Sequence, residues 1–233
     1  MSYSTILINQ SIRRLTRVLC RIDDSQLRSV PQSGPLIIVT NHINFLEVPL
    51  VYTHLLPRPL TGFVKAETWD NAAMAFLFNL WNAIPLRRGE ADVIAFQQGL
   101  EALRAGKILA IAPEGTRSGD GRLRKGLPGV VMMARHSQAP ILPVAYYGGE
   151  NFWENLTHLH RTEFKIAVGR LFYIKASNRR WTHAERQKIT DEIMYQVSEL
   201  LPPEYRGYYS DLSQSSTDYI DFMPVSVDHS VAL

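Results

Sequence analysis

A chain of 233 residues with 45% apolar and 20% charged side chains has the size and composition of one domain with a substantial core, which excludes a separate regulatory module and a disordered polymer. The net charge is only +3, yet residues 1–30 carry five arginines against two aspartates, and residues 205–233 one arginine against four aspartates. The single cysteine, Cys20, excludes an internal disulfide framework and multi-thiolate zinc or iron–sulfur centres, and suits a reducing compartment.

Ile8, Ile12, Leu15 and Leu19 recur at helical intervals while Arg13, Arg14, Arg17 and Arg21 occupy other directions of the wheel. This predicts an amphipathic helix within a segment 1–30, either lying in a lipid headgroup layer or packing on the protein's own core. The segment lacks a signal peptide's order of basic patch, apolar run and small-residue cleavage site. After a turn signal at 31–35, residues 36–39 read as a fully buried strand, being short, β-branched and bounded by breakers. Asn41 and His42 follow at once. Runs of the same kind stand at 61–64, 108–112 and 141–147.

The stretch 71–86 is shorter than the roughly 20 residues of a spanning helix and contains three asparagines, which argues against a span, and 72–86 reads as a buried core helix, with an acyl groove or shallow lipid contact as the alternative. Within 90–105, Val93, Phe96, Leu100 and Leu103 form one stripe and Gly106 supplies the stop. Phe164, Ile166 and Val168 alternate as a strand, and 171–174 is a second short one. A capping box of Thr182 and Glu185 opens a last helix, with Ile189, Ile193, Val197 and Leu200 as its stripe and Pro202-Pro203 as its end. The expectation is an α/β fold: a single domain over 31–204 with a mixed, mostly buried central sheet flanked by helices, plus the N-terminal amphipathic helix. The acidic tail 205–233 is expected to be mobile or to dock as an extended strand.

G-x-S-x-G, H-E-x-x-H, the P-loop motif and G-x-G-x-x-G are all missing, which removes support for serine-hydrolase, zincin, P-loop and Rossmann chemistry. Four segments remain, each at a strand end, where α/β folds place their sites. In Asn41-His42-Ile-Asn-Phe-Leu-Glu47 the histidine and carboxylate can form a base and its orienter. On one continuous helix five residues would separate them by about 140°, which argues for His42 in a turn and Glu47 in the first turns of the next helix. In Pro113-Glu114-Gly115-Thr116-Arg117-Ser118, glycine permits a tight turn, Thr116 and Ser118 add hydroxyls, and Arg117 offers a planar fork suited to phosphate. Ile84-Pro-Leu-Arg-Arg88 adds a guanidinium pair, and in Ile141-Leu-Pro143-Val144 the proline reads as shaping a sheet edge.

In this order and at these spacings, N-H-x4-E, the arginine after an apolar run, P-E-G-T-R-S and I-L-P-V resemble the four blocks of the glycerolipid acyltransferases, the PlsC-like 1-acylglycerol-3-phosphate acyltransferase group, over about half the chain. The resemblance implies transfer of a fatty acyl group from an acyl-CoA or acyl carrier protein thioester to the free hydroxyl of a lysophospholipid at the cytoplasmic face of a membrane, by a peripheral or monotopic enzyme. It implies His42 as general base, Glu114, Gly115, Thr116 and Arg117 as the glycerol-phosphate loop, and Arg88 and Lys65 as further phosphate holders. It implies no metal, no cofactor beyond the acyl donor and no nucleic-acid partner. Two positions depart from the family pattern: Glu47 stands where aspartate is usual, and Asn82 where glycine is usual. The alternatives are a different acceptor, such as glycerol-3-phosphate or another lysolipid, and a non-catalytic lipid-surface module with a disabled dyad.

Overall fold

Leu36-Ile-Ile-Val-Thr40 has no polar side chain until its end, and as strand β2 it is buried along its whole length. Successive residues point to opposite sheet faces. Ile37 and Val39 join one core layer, whereas Leu36 and Ile38 join another. A side chain of this size contributes about 1.5–3 kcal/mol when fully buried, so β2 tolerates no polar face.

The computed structural model describes residues 3–87, 89 and 92–224. Besides β2 its strands are β1 (Cys20–Asp23), β3 (Leu60–Lys65), β4 (Ile84–Leu86), β5 (Ile108–Ile111), β6 (Ile141–Tyr147), β7 (Thr162–Val168), β8 (Phe172–Ile174) and β9 (Ile220–Phe222). The helices are α1 (Tyr3–Leu19), α2 (Glu47–His54), α3 (Ala72–Leu80), α4 (Val93–Arg104), α5 (Gly129–Ser137), α6 (Phe152–Thr157) and α7 (His183–Ser198). One sheet runs β1-β7-β6-β2-β5-β3-β4, with β8 beside β6 and β9 beside β8. Strands β4, β3, β5, β2 and β6 are mutually parallel, β7 is antiparallel to β6, and β1 is parallel to β7. This is the expected α/β domain with a mixed sheet: α4, α5 and α7 contribute to the core layer on one face, and α2 to the layer on the other. No helix among the described residues is long and apolar enough to cross a membrane.

Two local expectations need correction, and for 1–30 and for 205–224 one of the stated alternatives is realised. In the segment 1–30, β1 adds a strand to the sheet and α1 packs on the domain. Trp81 Nε1 donates to Asn9 Oδ1 at 2.9 Å, and Asp24 accepts from Arg17 Nη2 at 2.8 Å and lies 2.8 Å from His54 Nδ1. Burial holds the His54 imidazole below its ordinary value, against the pull of Asp24. The stretch 72–86 is not one buried helix. Only Phe78 of α3 is buried, and the chain turns at Asn82, with φ of 51°, to enter β4.

Pro143 lies inside the sheet rather than at its edge. It pairs with Val39 on one side, while on the other β6 changes partner from β7, whose pairing ends at Val144, to β8, whose pairing is at Ile141. A missing N–H costs nothing where the ladder is interrupted. Residues 205–224 dock, the second of the two alternatives for this stretch, with β9 as the extended strand. Leu123 N donates to Tyr205 O at 2.9 Å and Tyr208 N to Leu123 O at 2.9 Å, and β9 then pairs with β8. Gly207 makes this turn possible with φ of 48°. Residues 225–233 lie outside the described residues.

Candidate active site

Because β2, β3, β4, β5 and β6 run in one direction, their carboxyl ends share one edge of the sheet. His42 lies two residues beyond β2, Glu114 three beyond β5, Lys65 at the end of β3 and Arg87 just past β4. The turn from β2 to α2 begins with Asn41, whose side chain completes the sheet. Its amide donates to Tyr146 O and accepts from Tyr146 N, both at 2.8 Å, splicing the end of β2 to β6. Asn44 then forms an Asx turn, accepting from Leu46 N at 2.8 Å, and donates to Gly149 O at 2.7 Å.

Glu47 is the first residue of α2, so the histidine sits in the turn and the carboxylate in the first helical turn, as their spacing requires. Glu47 is buried. Its Oε1 accepts from Ile43 N at 2.7 Å and Asn44 N at 2.9 Å, and its Oε2 stands 3.6 Å from His42 Nδ1. The longer side chain is therefore accommodated by reaching the amides of the turn it closes. The carboxylate fixes the loop and faces one side of the partly exposed imidazole, a geometry suited to proton transfer at the other ring nitrogen.

Glu114 lies beneath this turn. It is only 5% exposed, and its two oxygens accept backbone N–H bonds from His42 and Arg124, each at 2.8 Å. Burial pushes its carboxyl up to about 7 despite those bonds, with the Glu47 charge adding slightly in the same direction. Its carboxylate is thus occupied by the backbone. The loop it opens is laid against the His42 turn by Ser118 N to His42 O at 2.8 Å and Gly119 N to Ile43 O at 3.0 Å. Gly115 takes φ of 66° to make the bend, and a Cβ there would stand 2.9 Å from Leu127 Cδ1. Thr116 and Arg117 project into solvent beyond it. The next arm of the loop is held by Gly126 N to Tyr209 Oη at 3.0 Å, with Tyr209 donating to Asp191 at 2.8 Å.

The structure thus brings His42, Glu47 and Glu114 together and zips the Gly115–Thr116–Arg117 loop to them. Lys65 shares the edge, half-exposed and 3.5 Å from Glu67 Oε1, without touching His42. Arg88 lies outside the described residues. Sequence reading missed the clasp of Asn41, the Asx turn of Asn44 and the backbone role of Arg124; for the first, the signal was an asparagine directly between a buried strand and the histidine. Among the described residues no cluster of His, Cys, Asp and Glu is arranged to hold a metal ion.

Residues 21–147 match the family model described as Acyltransferase. The chain is 26% identical over 121 residues to the 1-acyl-sn-glycerol-3-phosphate acyltransferase of Bacillus subtilis, covering 52% of this chain and 59% of that one. It is 27% identical over 132 residues to a chloroplastic 1-acyl-sn-glycerol-3-phosphate acyltransferase of Brassica napus, covering 55% and 38%. It is also 30% identical over 112 residues to the lyso-ornithine lipid O-acyltransferase of Pseudomonas aeruginosa, covering 48% and 42%. The chain therefore spans less than two thirds of the length of these relatives. Among solved structures, the 1-acyl-sn-glycerophosphate acyltransferase PlsC from Thermotoga maritima superposes with a TM-score of 0.58 at 19% identity, covering 85% of this chain and 80% of that one, a likeness of fold.

Proposed function

The chain belongs to the acyltransferase family, and from that premise we propose that it moves a fatty acyl group from an acyl-CoA or acyl carrier protein thioester to the free hydroxyl of a lysophospholipid. The acceptor is 1-acylglycerol-3-phosphate and the product phosphatidic acid. The observation that carries this reading is the His42–Glu47 turn held against the Arg117 loop by Ser118 N to His42 O. One element of the pair supplies a base and the other a guanidinium suited to phosphate.

In the reaction His42 removes the proton of the acceptor hydroxyl as its oxygen attacks the thioester carbon. The carbon–sulfur bond breaks when the tetrahedral intermediate collapses, an ester forms, and the imidazolium returns its proton to the departing thiolate. Glu47 stabilises the imidazolium while it carries the charge. Arg117, with Lys65 and Arg88, anchors the acceptor's phosphate and makes the attack effectively intramolecular. Gly115 shapes the loop, Thr116 adds a hydroxyl beside the phosphate, and Glu114 holds the loop and the His42 turn in register.

A second reading keeps the reaction and changes the acceptor, supported by the match to a lyso-ornithine lipid O-acyltransferase. Purified protein is assayed with radiolabelled acyl-CoA and acyl carrier protein thioesters against a panel of lysolipids. Labelled phosphatidic acid, lost in His42→Ala, is the expected result. Product from another acceptor alone supports the second reading, and no product from any acceptor leaves a lipid-surface module.

A further inference from the structure

Between β5 and α5 the chain forms neither helix nor strand over residues 112–128, and it includes four glycines there. Fixing such a segment costs much conformational entropy, so its position depends on what grips it from outside. The His42 turn grips the near arm at Glu114, Ser118 and Gly119. The far arm is gripped by residues 205–209. Leu123 is buried, and this strap takes both of its backbone groups, its N–H donating to Tyr205 O and its carbonyl accepting from Tyr208 N. The next residue is Arg124, whose N–H is the second donor to Glu114 and whose Nη2 reaches back to Ser118 O at 3.1 Å. The strap therefore supports the Arg124 half of the Glu114 junction.

One side chain locks the strap in place. The ring of Tyr205 lies on Gly121, where a Cβ would stand 2.8 Å from ring Cδ1, and its centroid is 5.8 Å from that of Tyr147. Its hydroxyl donates to Glu150 Oε1. Glu150 stands three residues past the end of β6, directly after Gly149, whose carbonyl accepts from the Asn44 side chain of the His42 turn. The lock thus ties the strap back to the turn that carries the histidine. Glu150 Oε2 is buried and meets no donor among the described residues, which leaves the phenol as the carboxylate's hydrogen-bond donor. Burial, with the Glu150 charge adding to it, holds the phenol above its ordinary range, so it stays a donor at neutral pH. Without that hydroxyl the carboxylate would have no donor in a partly buried place, a state relieved by turning out to water and releasing the strap.

We propose that Tyr205 and Glu150 are positioning residues, whose hydrogen bond clamps the strap 205–209 on Leu123 and so fixes the Arg117 loop relative to His42. Both lie outside the residues 21–147 that match the family model. What the loop binds rests on the proposed function, whereas the clamp itself is measured without turnover.

The test uses the full chain. Tyr205→Phe keeps the ring on Gly121 and loses only the hydroxyl. The KM for 1-acylglycerol-3-phosphate should rise about three- to tenfold, the worth of one hydrogen bond, while the donor KM stays near wild type. Glu150→Ala should raise it at least as much, and the double variant should be no worse than the poorer single one. Glu150→Gln, whose amide oxygen still accepts from the phenol, should restore the wild-type KM. Hydrogen exchange reads the clamp directly: in Tyr205→Phe the amides of Leu123 and Arg124 should exchange about three- to tenfold faster relative to those of β2. A residue that merely stabilises the fold would quicken loop and β2 alike and leave the acceptor KM unmoved. Either of those results overturns the proposal, as does a rise in the donor KM alone. If the wild type acylates no lysolipid while exchange at Leu123 and Arg124 is selectively quickened, the proposed reaction falls and the clamp stands.

Discussion

The backbone N–H of His42 donates to a buried oxygen of Glu114 at 2.8 Å, which makes the histidine turn and the P-E-G-T-R-S loop a single mechanical unit. The glutamate of that motif faces inward to the backbone, and the positions after it face solvent. In the proposed reaction, acceptor binding by the loop and proton removal by His42 would be set by this one junction.

His42→Ala should reduce acyl transfer by about 10²–10⁴-fold, the usual cost of losing a general base, while the thermal midpoint stays near wild type because the side chain is partly exposed and packs little core. Steady-state rates and a melting curve of the same preparation check both halves. More than about a tenth of the wild-type rate would remove His42 from this role.

Glu47 gives a sharper comparison. Glu47→Gln loses the charge that stands 3.6 Å from the imidazole and should lower kcat by about 10-fold or more, since opposite charges near 4 Å attract by about 1–4 kcal/mol between water and a protein surface. Glu47→Asp should not exceed wild type, because a shorter side chain draws away from the amides of Ile43 and Asn44. A gain in kcat with aspartate would mean the longer carboxylate is a defect rather than an adaptation.

Glu114 predicts a pH signature in stability. Its folded carboxyl sits at about 7 against 4.5 for the ordinary group, so between those values the native protein holds a proton that the unfolded chain has released. Its contribution to stability is fully present below pH 4.5 and is lost as the pH rises through 7. Urea unfolding of wild type and Glu114→Gln across this range should give a stability difference, wild type minus variant, that falls with pH and levels off above 7. A level difference throughout would show that the group is not held in a raised state.

Arg117→Ala should raise the acceptor KM by about 10–100-fold, the value of a lost charge-assisted bond, and leave the donor KM nearly unchanged. The reverse pattern, with a raised donor KM alone, would place this loop on the thioester side.

Tyr209→Phe should destabilise the protein by about 1–3 kcal/mol, because the buried N–H of Gly126 loses its acceptor and Asp191 one of its two donors, keeping Gln187. Urea midpoints measure it. A loss below about 0.5 kcal/mol would mean that water replaces the hydroxyl.

The core strands were legible because their patterns are local. The 36–39 run and the alternation at 164–168 appear as β2 and β7. Thr182 and Glu185 form the capping box their spacing predicts. The His42–Glu47 geometry was legible for the same reason, since five residues across a strand-to-helix turn bring the two side chains to one place. What was not legible depended on distant partners. Cys20–Asp23 alternates apolar and polar, but over only four residues directly behind a helical run, and it is a strand because β7 offers an edge. Gly207 and Tyr209 belong to a polar, aperiodic stretch whose order comes from Leu123 and Asp191. Pro143 looked like an edge residue because pairing can be read strand by strand, whereas the gap between β7 and β8 that admits it is a property of the whole sheet.

The pairing of β1 with β7 also sets an order of events during synthesis. Arg21 and Glu163 face each other across 142 residues. At translation rates of about 5–20 residues per second, α1 and β1 leave the ribosome about 7–28 s before the strand that receives them. For that interval the side of α1 that will pack inward and the side bearing Leu15 and Val18 are both uncovered. A nascent chain therefore holds its first strand unpaired until β7 emerges, so the strand made first is among the last to join the sheet.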